Sequence, residues 1–272
     1  MPLGPFLDAL GDSLTLPAPP RRIVSLVPSV TELLFALGAG PAVAGCTVFC
    51  TEPAEGVATK PRIGGEKNPR LEAIRDLGAD LVVANVEENV RGDVETLRSW
   101  GIAVYVIYPR RVVDGIRLVR ELGELTGHAD EGRRMAADLL GALEASRLQL
   151  QGRTPRRVFY PIWRRPWMTI SRDTYAHDML HVCGGLNVFA GSETRYPEVT
   201  LEEVAQRAPE VILLPDEPYR FRRAHLADFD AHGDVPAVRF GRLHLIDGKL
   251  ATWYGPRIAQ ALRELPRLLA ES

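Results

Sequence analysis

One helical pattern without a break stands between two halves of the chain. Over residues 127–152 the spacing puts Leu139, Leu140, Leu143 and Leu150 on one stripe. This pattern predicts a helix of more than about 20 residues, which would span about 30 Å at a rise of ~1.5 Å per residue. A helix of that length between two α/β segments would connect them as a bridge.

On both sides of this helix, short apolar runs alternate with segments of helical spacing. Such alternation predicts parallel sheets with crossover helices. We therefore expect an α/β fold of two parallel-sheet lobes joined by one long bridging helix. The expected boundaries are an N-terminal lobe over residues 1–126, the bridging helix over 127–152 and a C-terminal lobe over 153–272.

Local signals predict where several elements begin. Ser29 and Glu32 have the spacing of a capping box at the start of the first helix. In the second half we expect a helix near residues 219–231 and a short strand at 238–240. The last helix is expected to start near Tyr254.

A helix–strand unit is repeated in the two halves. The segments that begin at Leu71 and Leu201 both read L-E-x-[I/V], then four positions, a small residue or proline, an acid and a buried strand. The repeat indicates two related lobes and places Glu72 and Glu202 at equivalent points, one residue into a helix. Two ordinary α/β units can share this pattern by coincidence, and the helix dipole by itself favours a carboxylate there.

The charge balance excludes one large class of functions. The chain has 33 Lys and Arg against 35 Asp and Glu, which gives a net charge of −2. A chain this balanced is not a general polyanion binder, so we expect no nucleic-acid partner. No apolar run reaches the ~18 residues that span a bilayer.

The first residues carry no secretion signal. Residues 1–13 lack a basic region followed by a long apolar region, and residues 1–20 as a whole predict a Pro-rich extended lead-in. We therefore expect the chain, as given, in the cytoplasm. If the sequence is a trimmed mature form, the same residues fit a periplasmic or cell-surface protein.

Three cysteines, Cys46, Cys50 and Cys183, do not make a complete disulfide framework. Cys46 and Cys50 lie four residues apart with no third or fourth ligand nearby, which argues against a zinc site. We expect semi-buried side chains beside a turn, no intramolecular disulfide and no metal ligand among the cysteines.

The loops that follow the predicted strands are rich in aromatic residues. Ligands of parallel sheets bind outside the carboxyl ends of the strands, so Trp163, Trp167, Tyr196 and Trp253 would stack on or line a large, flat, partly charged ligand between the lobes. The alternative is that these rings fill space between a lobe and the bridging helix.

Two arginines in the same loops, Arg164 and Arg257, would meet carboxylate, amide or phosphate groups of that ligand. The candidate ligand-binding residues, all in or beside these loops, are Pro28, Ser29, Phe49, Cys50, Glu87, Trp163, Arg164, Trp167, Tyr196, Asp216, Tyr219, Trp253, Tyr254 and Arg257.

Signals for catalysis are weaker. The sequence has no G-x-G-x-x-G, P-loop or G-x-S-x-G motif, and we assign no catalytic residue. His177 and His181 have the H-x-x-x-H spacing of metal ligands, but Asp178 stands where H-E-x-x-H has glutamate, which favours a surface or capping role. Four loop acids would either hold a cation between facing lobes or remain solvated: Glu87, Glu88, Asp216 and Glu217.

Four segments together resemble a known family. RRIVSLVPSVTELLFALG, KNPRLEAIRDLGADLVVANVEEN, CGGLNVF and YPEVTLEEVAQRAPEVILLP are similar to the substrate-binding proteins of vitamin B12 and ferric-siderophore ABC importers, from about residue 14 to the C-terminus. The resemblance implies two α/β lobes joined by one long helix, with a ligand in the cleft. It also implies that Glu72 and Glu202 dock onto arginines of a membrane permease.

We therefore expect a monomeric solute-binding protein for a metal chelate, either a corrinoid such as cobalamin or a ferric siderophore. It would deliver this ligand to an ABC importer, with no cofactor and no chemistry of its own. Two alternatives stay open: a cytoplasmic metal-binding or chelate-handling protein that uses cleft carboxylates and His177, and an enzyme on the same two-lobed frame.

Overall fold

The computed structural model describes residues 2–270, which fall into two compact units. Each unit has its own parallel sheet and its own buried apolar core. The α/β fold class predicted from the sequence is confirmed. Unit 1 takes in residues 2–109, 113–139 and 254–256, and unit 2 takes in 110–112, 140–253 and 257–270.

The first half of the chain forms six strands and six helices. A short 3₁₀ helix, Gly40–Ala42, precedes the fourth strand. In chain order the elements are β1 (Leu3–Leu7), β2 (Ser13–Leu16), β3 (Ile23–Ser25), α1 (Pro28–Ala36), β4 (Val43–Cys46), α2 (Ala54–Ala58), α3 (Leu71–Asp76), β5 (Leu81–Asn85), α4 (Arg91–Ser99), β6 (Val104–Ile107), α5 (Val112–Leu125) and α6 (Ala129–Leu150).

The second half has seven strands and five further helices, with a 3₁₀ helix over Arg223–His232. In chain order they are β7 (Arg156–Phe159), β8 (Pro161–Trp163), β9 (Trp167–Thr169), α7 (Tyr175–Val182), β10 (Gly185–Asn187), β11 (Glu198–Val199), α8 (Leu201–Gln206), β12 (Val211–Pro215), α9 (Pro236–Arg239), β13 (Leu243–Ile246), α10 (Lys249–Thr252) and α11 (Arg257–Ala270).

The two main sheets are both parallel. Their strand orders are β4-β3-β5-β6 in unit 1 and β10-β7-β12-β13 in unit 2. Every residue of β5 and of β12 is buried, because helices cover both faces of each sheet. Unit 2 also has a small antiparallel sheet of order β11-β9-β8.

The long helix is confirmed as one continuous element. α6 runs over 22 residues, close to the predicted 127–152, and its residues up to 139 belong to unit 1 and the rest to unit 2. Among residues 2–270, none of the helices combines the length and the apolar character needed to cross a membrane.

The N-terminal lead-in is folded, contrary to the prediction of an extended segment. β1 and β2 pair as an antiparallel hairpin. Its turn is fixed by Arg98 of α4, which donates to Asp8 at 2.6 Å and also pairs with Asp12. The Asp8 side chain is buried, so this ion pair anchors the hairpin to the rest of unit 1.

The predicted start of the first helix was wrong. Val27 is the N-cap of α1 and Pro28 is its first residue, so the helix begins without the capping box expected of Ser29 and Glu32. Proline at the first helical position needs no such cap, since its fixed φ suits the helix and it has no N–H to satisfy.

Two predictions near the C-terminus need correction. The helix predicted near residues 219–231 is present as a 3₁₀ helix over 223–232. Pro236, however, begins a helical turn where a strand at 238–240 was expected. The last helix begins at Arg257, not near Tyr254, because Gly255 has a φ of +75° that no helix accommodates.

α5 and α6 approach each other through two glycines. A methyl group on Gly123 would lie 2.8 Å from the Cα of Gly132 and 3.0 Å from the carbonyl oxygen of His128. No side chain fits between these backbones, so the crossing depends on glycine. By contrast, a methyl group on Gly141 of α6 would meet no atom within 4 Å.

We predict opposite effects for two Gly→Ala substitutions. Gly123→Ala forces the helices apart and should lower the free energy of unfolding by about 1–3 kcal/mol. Gly141→Ala, the matched control, should raise it by up to about 1 kcal/mol because alanine favours the helix. Urea unfolding of both variants measures the difference, and equal effects would contradict the close crossing.

Trp167 lies in an aromatic cluster inside unit 2. Its ring stacks on Phe221 at 5.7 Å between centroids and contacts Phe229 at 5.5 Å and Phe159 at 6.5 Å. Trp163, four residues earlier, is 43% exposed instead. Trp167 therefore packs against the core of its own unit.

The two tryptophans should differ sharply in their effect on stability. Trp167→Ala leaves a cavity among three rings and should cost about 3 kcal/mol of unfolding free energy. Trp163→Ala should cost less than about 1 kcal/mol, as for an exposed side chain. Urea midpoints of the two variants test this, and a larger loss for Trp163→Ala would reverse the assignment.

Candidate ligand-binding site

In unit 1, exposed apolar side chains follow the carboxyl ends of β4 and β5, the two parallel strands on either side of β3. Val48 and Phe49 come after β4, and Val86 comes after β5. Phe49 is 56% exposed, and both valines are also exposed. Loops at the carboxyl ends of parallel strands are where such sheets bind ligands.

The loop that presents Phe49 is fixed by hydrogen bonds. Val48 N–H donates to the Gly64 carbonyl at 2.9 Å, and Cys50 N–H donates to the Thr47 carbonyl at 3.3 Å. Arg62 Nη1 donates to the carbonyls of Thr47 and Cys50 at 2.9 and 2.7 Å. These bonds hold the backbone of the loop while the Phe49 ring stays accessible.

Buried amides and a tyrosine hold the adjacent loop. Asn85 Nδ2 donates to the Tyr254 hydroxyl at 3.1 Å, and Asn85 N–H donates to Asn89 Oδ1 at 2.7 Å. Asn89 Nδ2 donates in turn to the carbonyls of Leu26 and Glu66. Neither Asn85 nor Asn89 was among the site residues predicted from the sequence, although they flank the predicted acids Glu87 and Glu88.

Several predicted site residues of unit 1 are buried. Pro28, Ser29, Cys50 and Tyr254 present almost no surface, and Glu87 is half-buried with its carbonyl accepting from Lys67 Nζ. Their assignment as ligand contacts stays a prediction. Of the predicted residues in this unit, Phe49 offers the largest exposed surface.

In unit 2, the exposed aromatic surface centres on Trp163. It ends β8, which follows β7 after one residue, and its ring makes an edge contact with half-buried Tyr219 at 5.4 Å. Tyr219 packs in turn against Phe221 at 4.8 Å. Tyr196, which precedes β11, is 38% exposed.

Arg164 has a strong partner within its own unit. Its Nε and Nη2 donate to the two carboxylate oxygens of Asp228 at 2.6 and 2.7 Å. This bidentate pair lowers the pKa of Asp228 below its usual range. The guanidinium predicted to meet an anionic ligand group is thus already neutralised by a carboxylate.

Trp253 is nearly enclosed, with 6% of its surface exposed. Lys249 Nζ and the Arg257 guanidinium lie 5.3 and 5.8 Å from the centre of its ring. Arg257 also lies 3.7 Å from Asp247. Within unit 2, Trp253 is therefore an internal packing residue flanked by two cations.

The acids of unit 2 cluster at the carboxyl ends of β12 and β13. Burial raises the pKa of Glu217, which accepts from the Thr252 hydroxyl at 3.3 Å. Asp216 Oδ1 accepts from Gly248 N–H at 2.9 Å. Across residues 2–270, His, Cys, Asp and Glu side chains form no group of three that could hold a metal ion.

The two histidines of α7 lie with parallel rings, 6.3 Å apart between centroids. His177 Nδ1 is 3.4 Å from the amide nitrogen of Asn187, and burial together with the charge of His181 lowers the pKa of His177. A lowered pKa favours the neutral form of the His177 imidazole.

The two glutamates of the repeat occupy equivalent places in their units. Glu72 is in the first turn of α3 and Glu202 in the first turn of α8, and both side chains are exposed. Glu202 differs in one respect: its own backbone N–H and the Thr200 hydroxyl lower its pKa. Hydrogen bonds at the start of α8 therefore stabilise the charged form of the Glu202 carboxylate.

The chain resembles curated transport proteins over most of its length. It is 28% identical over 207 residues to the vitamin B12-binding protein of Vibrio cholerae serotype O1, covering 76% of this chain and 75% of that protein. An uncharacterized ABC transporter substrate-binding lipoprotein of Bacillus subtilis is 28% identical over 266 residues, with coverages of 95% and 82%.

Solved structures share the fold. The periplasmic vitamin B12 binding protein of Vibrio cholerae superposes with a TM-score of 0.82 at 24% identity, covering 92% of this chain and 97% of that one. The apo periplasmic heme-binding protein of Roseiflexus sp. RS-1 gives a TM-score of 0.80 at 25% identity, with coverages of 92% and 98%.

A family model matches most of the chain. The model describes periplasmic binding proteins and covers residues 23–250, which include both parallel sheets and the long helix. This family is one of substrate-binding proteins rather than enzymes, and it gives no support to the cytoplasmic location expected from the first residues. The chain belongs to the periplasmic binding protein family.

Proposed function

We propose that the chain is the solute-binding protein of an ABC importer, and that its solute is a metal chelate of the corrinoid or ferric-siderophore type. The observation that carries the proposal is the exposure of Phe49, in the loop after β4, and of Trp163, at the end of β8. The names of relatives, which bind vitamin B12 and heme, support the same class of solute.

Exposed aromatic rings suit this class of ligand for a physical reason. The organic shell of a corrinoid, porphyrin or siderophore complex offers broad apolar or flat surfaces, and aromatic side chains bind such surfaces by stacking and by release of water. A cleft closed over the ligand would bury the rings, whose exposure is otherwise costly.

The polar groups of the site are largely satisfied inside the protein. Arg164 is paired with Asp228, and Arg257 lies beside Asp247. We therefore propose that affinity comes mainly from the aromatic surfaces, with polar groups giving orientation. The protein would bind the intact chelate as a monomer, without a cofactor and without reacting with it.

The exposed pair Glu72 and Glu202 supports delivery to a permease. Each unit presents one carboxylate in the first turn of a short helix. A carboxylate on the surface of each lobe is suited to bidentate pairing with an arginine of a partner. We propose that both dock onto the importer, which places the protein on the outer side of the cytoplasmic membrane.

A binding assay with three chelates tests the solute class. Cyanocobalamin, hemin and a ferric hydroxamate are titrated separately into the purified protein, and intrinsic fluorescence and visible absorption are followed. We expect saturable binding of one of them at a stoichiometry near one, because the proposal gives the chain one binding site. Saturable binding of none would contradict the chelate proposal.

Substitutions of the exposed rings locate the site. Phe49→Ala and Trp163→Ala should each weaken binding about 5- to 150-fold, since loss of one stacking ring costs about 1–3 kcal/mol. Phe240→Ala is the matched control: Phe240 is 57% exposed but precedes β13, at the opposite end of the strands. Equal loss in all three variants would reject this location.

The glutamate pair is tested by a double variant. Glu72→Ala combined with Glu202→Ala should leave ligand affinity unchanged and shift the unfolding free energy by no more than about 0.5 kcal/mol. Importer-dependent uptake of the bound chelate should be lost. A drop in stability with normal uptake would instead assign the pair to helix-start electrostatics.

The control for that experiment removes the same charge elsewhere. Glu55→Ala combined with Glu193→Ala takes one exposed carboxylate from each unit. Because these residues lie outside the repeat, uptake should match that of the unaltered protein. If both double variants lose uptake equally, net charge rather than docking explains the effect.

A further inference from the structure

Cys46 and Cys50 lie together beneath the loop that carries Phe49. Cys46 is the last residue of β4, and Cys50 closes the turn that follows it. Both side chains are fully buried and form a small cluster with Val57 and Phe35, and both are free thiols. The fold of unit 1 therefore brings two reduced sulfurs together.

Polar groups surround these sulfurs. The Thr31 and Thr47 hydroxyls lie 3.1 and 3.2 Å from the Cys50 sulfur. On the other side, Arg62 Nη1 lies 3.3 Å from the Cys46 sulfur. Hydroxyl groups and a guanidinium beside a sulfur stabilise its thiolate form, as at reactive cysteines.

The two thiols share this stabilisation unequally. Interaction with Cys46, followed by hydrogen bonds from Thr31 and Thr47, lowers the pKa of Cys50, although burial opposes the shift. Interaction with Cys50 and burial raise the pKa of Cys46. Both shifts favour the thiolate at Cys50 over the thiolate at Cys46. Cys183 differs, because burial raises its pKa to about 12.

We propose that Cys46 and Cys50 form a redox-active dithiol that a hydroperoxide converts into an intramolecular disulfide. In hydrogen peroxide, the Cys50 thiolate attacks one oxygen, the O–O bond breaks, hydroxide leaves and the sulfur becomes a sulfenic acid. The Cys46 sulfur then attacks that sulfur. The S–S bond forms, and the sulfenic hydroxyl leaves as water with the Cys46 proton.

The surroundings of the pair fit a small oxidant. Cys50 directly follows Val48 and Phe49 in its turn, and both of these side chains are exposed. Hydrogen peroxide needs a smaller opening of this turn than a bulky disulfide reagent does. The dithiol reduces one peroxide by two electrons, which balances the two electrons lost in forming the disulfide.

A thiol count tests the proposal directly. The folded protein is treated with hydrogen peroxide, quenched with catalase, unfolded and titrated with a thiol reagent. We expect two of its three thiols to disappear and to return with dithiothreitol. Peptide mapping without reductant should find Cys46 linked to Cys50. Three remaining thiols, or a disulfide that includes Cys183, would overturn the proposal.

Single variants test the order of events. Cys183→Ser, the matched control, should still lose both remaining thiols. Cys46→Ser should accumulate a sulfenic acid at Cys50 that dimedone labels. In Cys50→Ser, oxidation of Cys46 should be at least about tenfold slower, because the Thr31 and Thr47 hydroxyls that stabilise a thiolate contact the sulfur of Cys50, while burial still raises the pKa of Cys46.

Oxidation of Cys50→Ser as fast as the unaltered protein would overturn the assigned roles. Circular dichroism checks that each variant is folded. If Cys46→Ser or Cys50→Ser fails to fold, the thiol counts of the unaltered protein and of Cys183→Ser still decide whether the disulfide forms.

Discussion

Burial of parallel strands on both faces is the constraint on which the rest of this structure depends. β5 and β12 have no exposed residue, so neither face of these strands can carry a binding group. Chemistry is confined to the loops where the strands end. Phe49 and Val86 in unit 1 are exposed in such loops, and Trp163 in unit 2 is exposed at the end of β8.

The sequence predicts those elements whose signal is local and periodic. The spacing of leucines was sufficient for α6, and the apolar runs were sufficient for the strands of both parallel sheets except β10, which was not predicted. Starts and ends that depend on one residue were less predictable. Pro28 begins α1 without a side-chain cap, and Gly255 delays α11, although neighbouring residues suggested other boundaries.

Which site residues are accessible depends on partners far away in the sequence. Trp163 and Trp167 lie in one short segment, yet Trp167 is packed among rings that include Phe229, whereas Trp163 is not. Likewise, Arg164 is held by Asp228, 64 residues later. Residue type by itself predicted an aromatic, arginine-bearing segment over residues 163–167. Only the packing of distant segments distinguishes rings that can meet a ligand from rings that support them.

The N-terminal hairpin depends on the same kind of distant contact, with a consequence for biosynthesis. Asp8 is made first, but its partner Arg98 follows 90 residues later. In a growing chain, the Asp8 carboxylate therefore has no guanidinium to pair with until α4 has been synthesised. Two-stranded hairpins are marginal by themselves. During translation this segment must stay open to solvent, and it completes unit 1 only after the strands it packs on are in place.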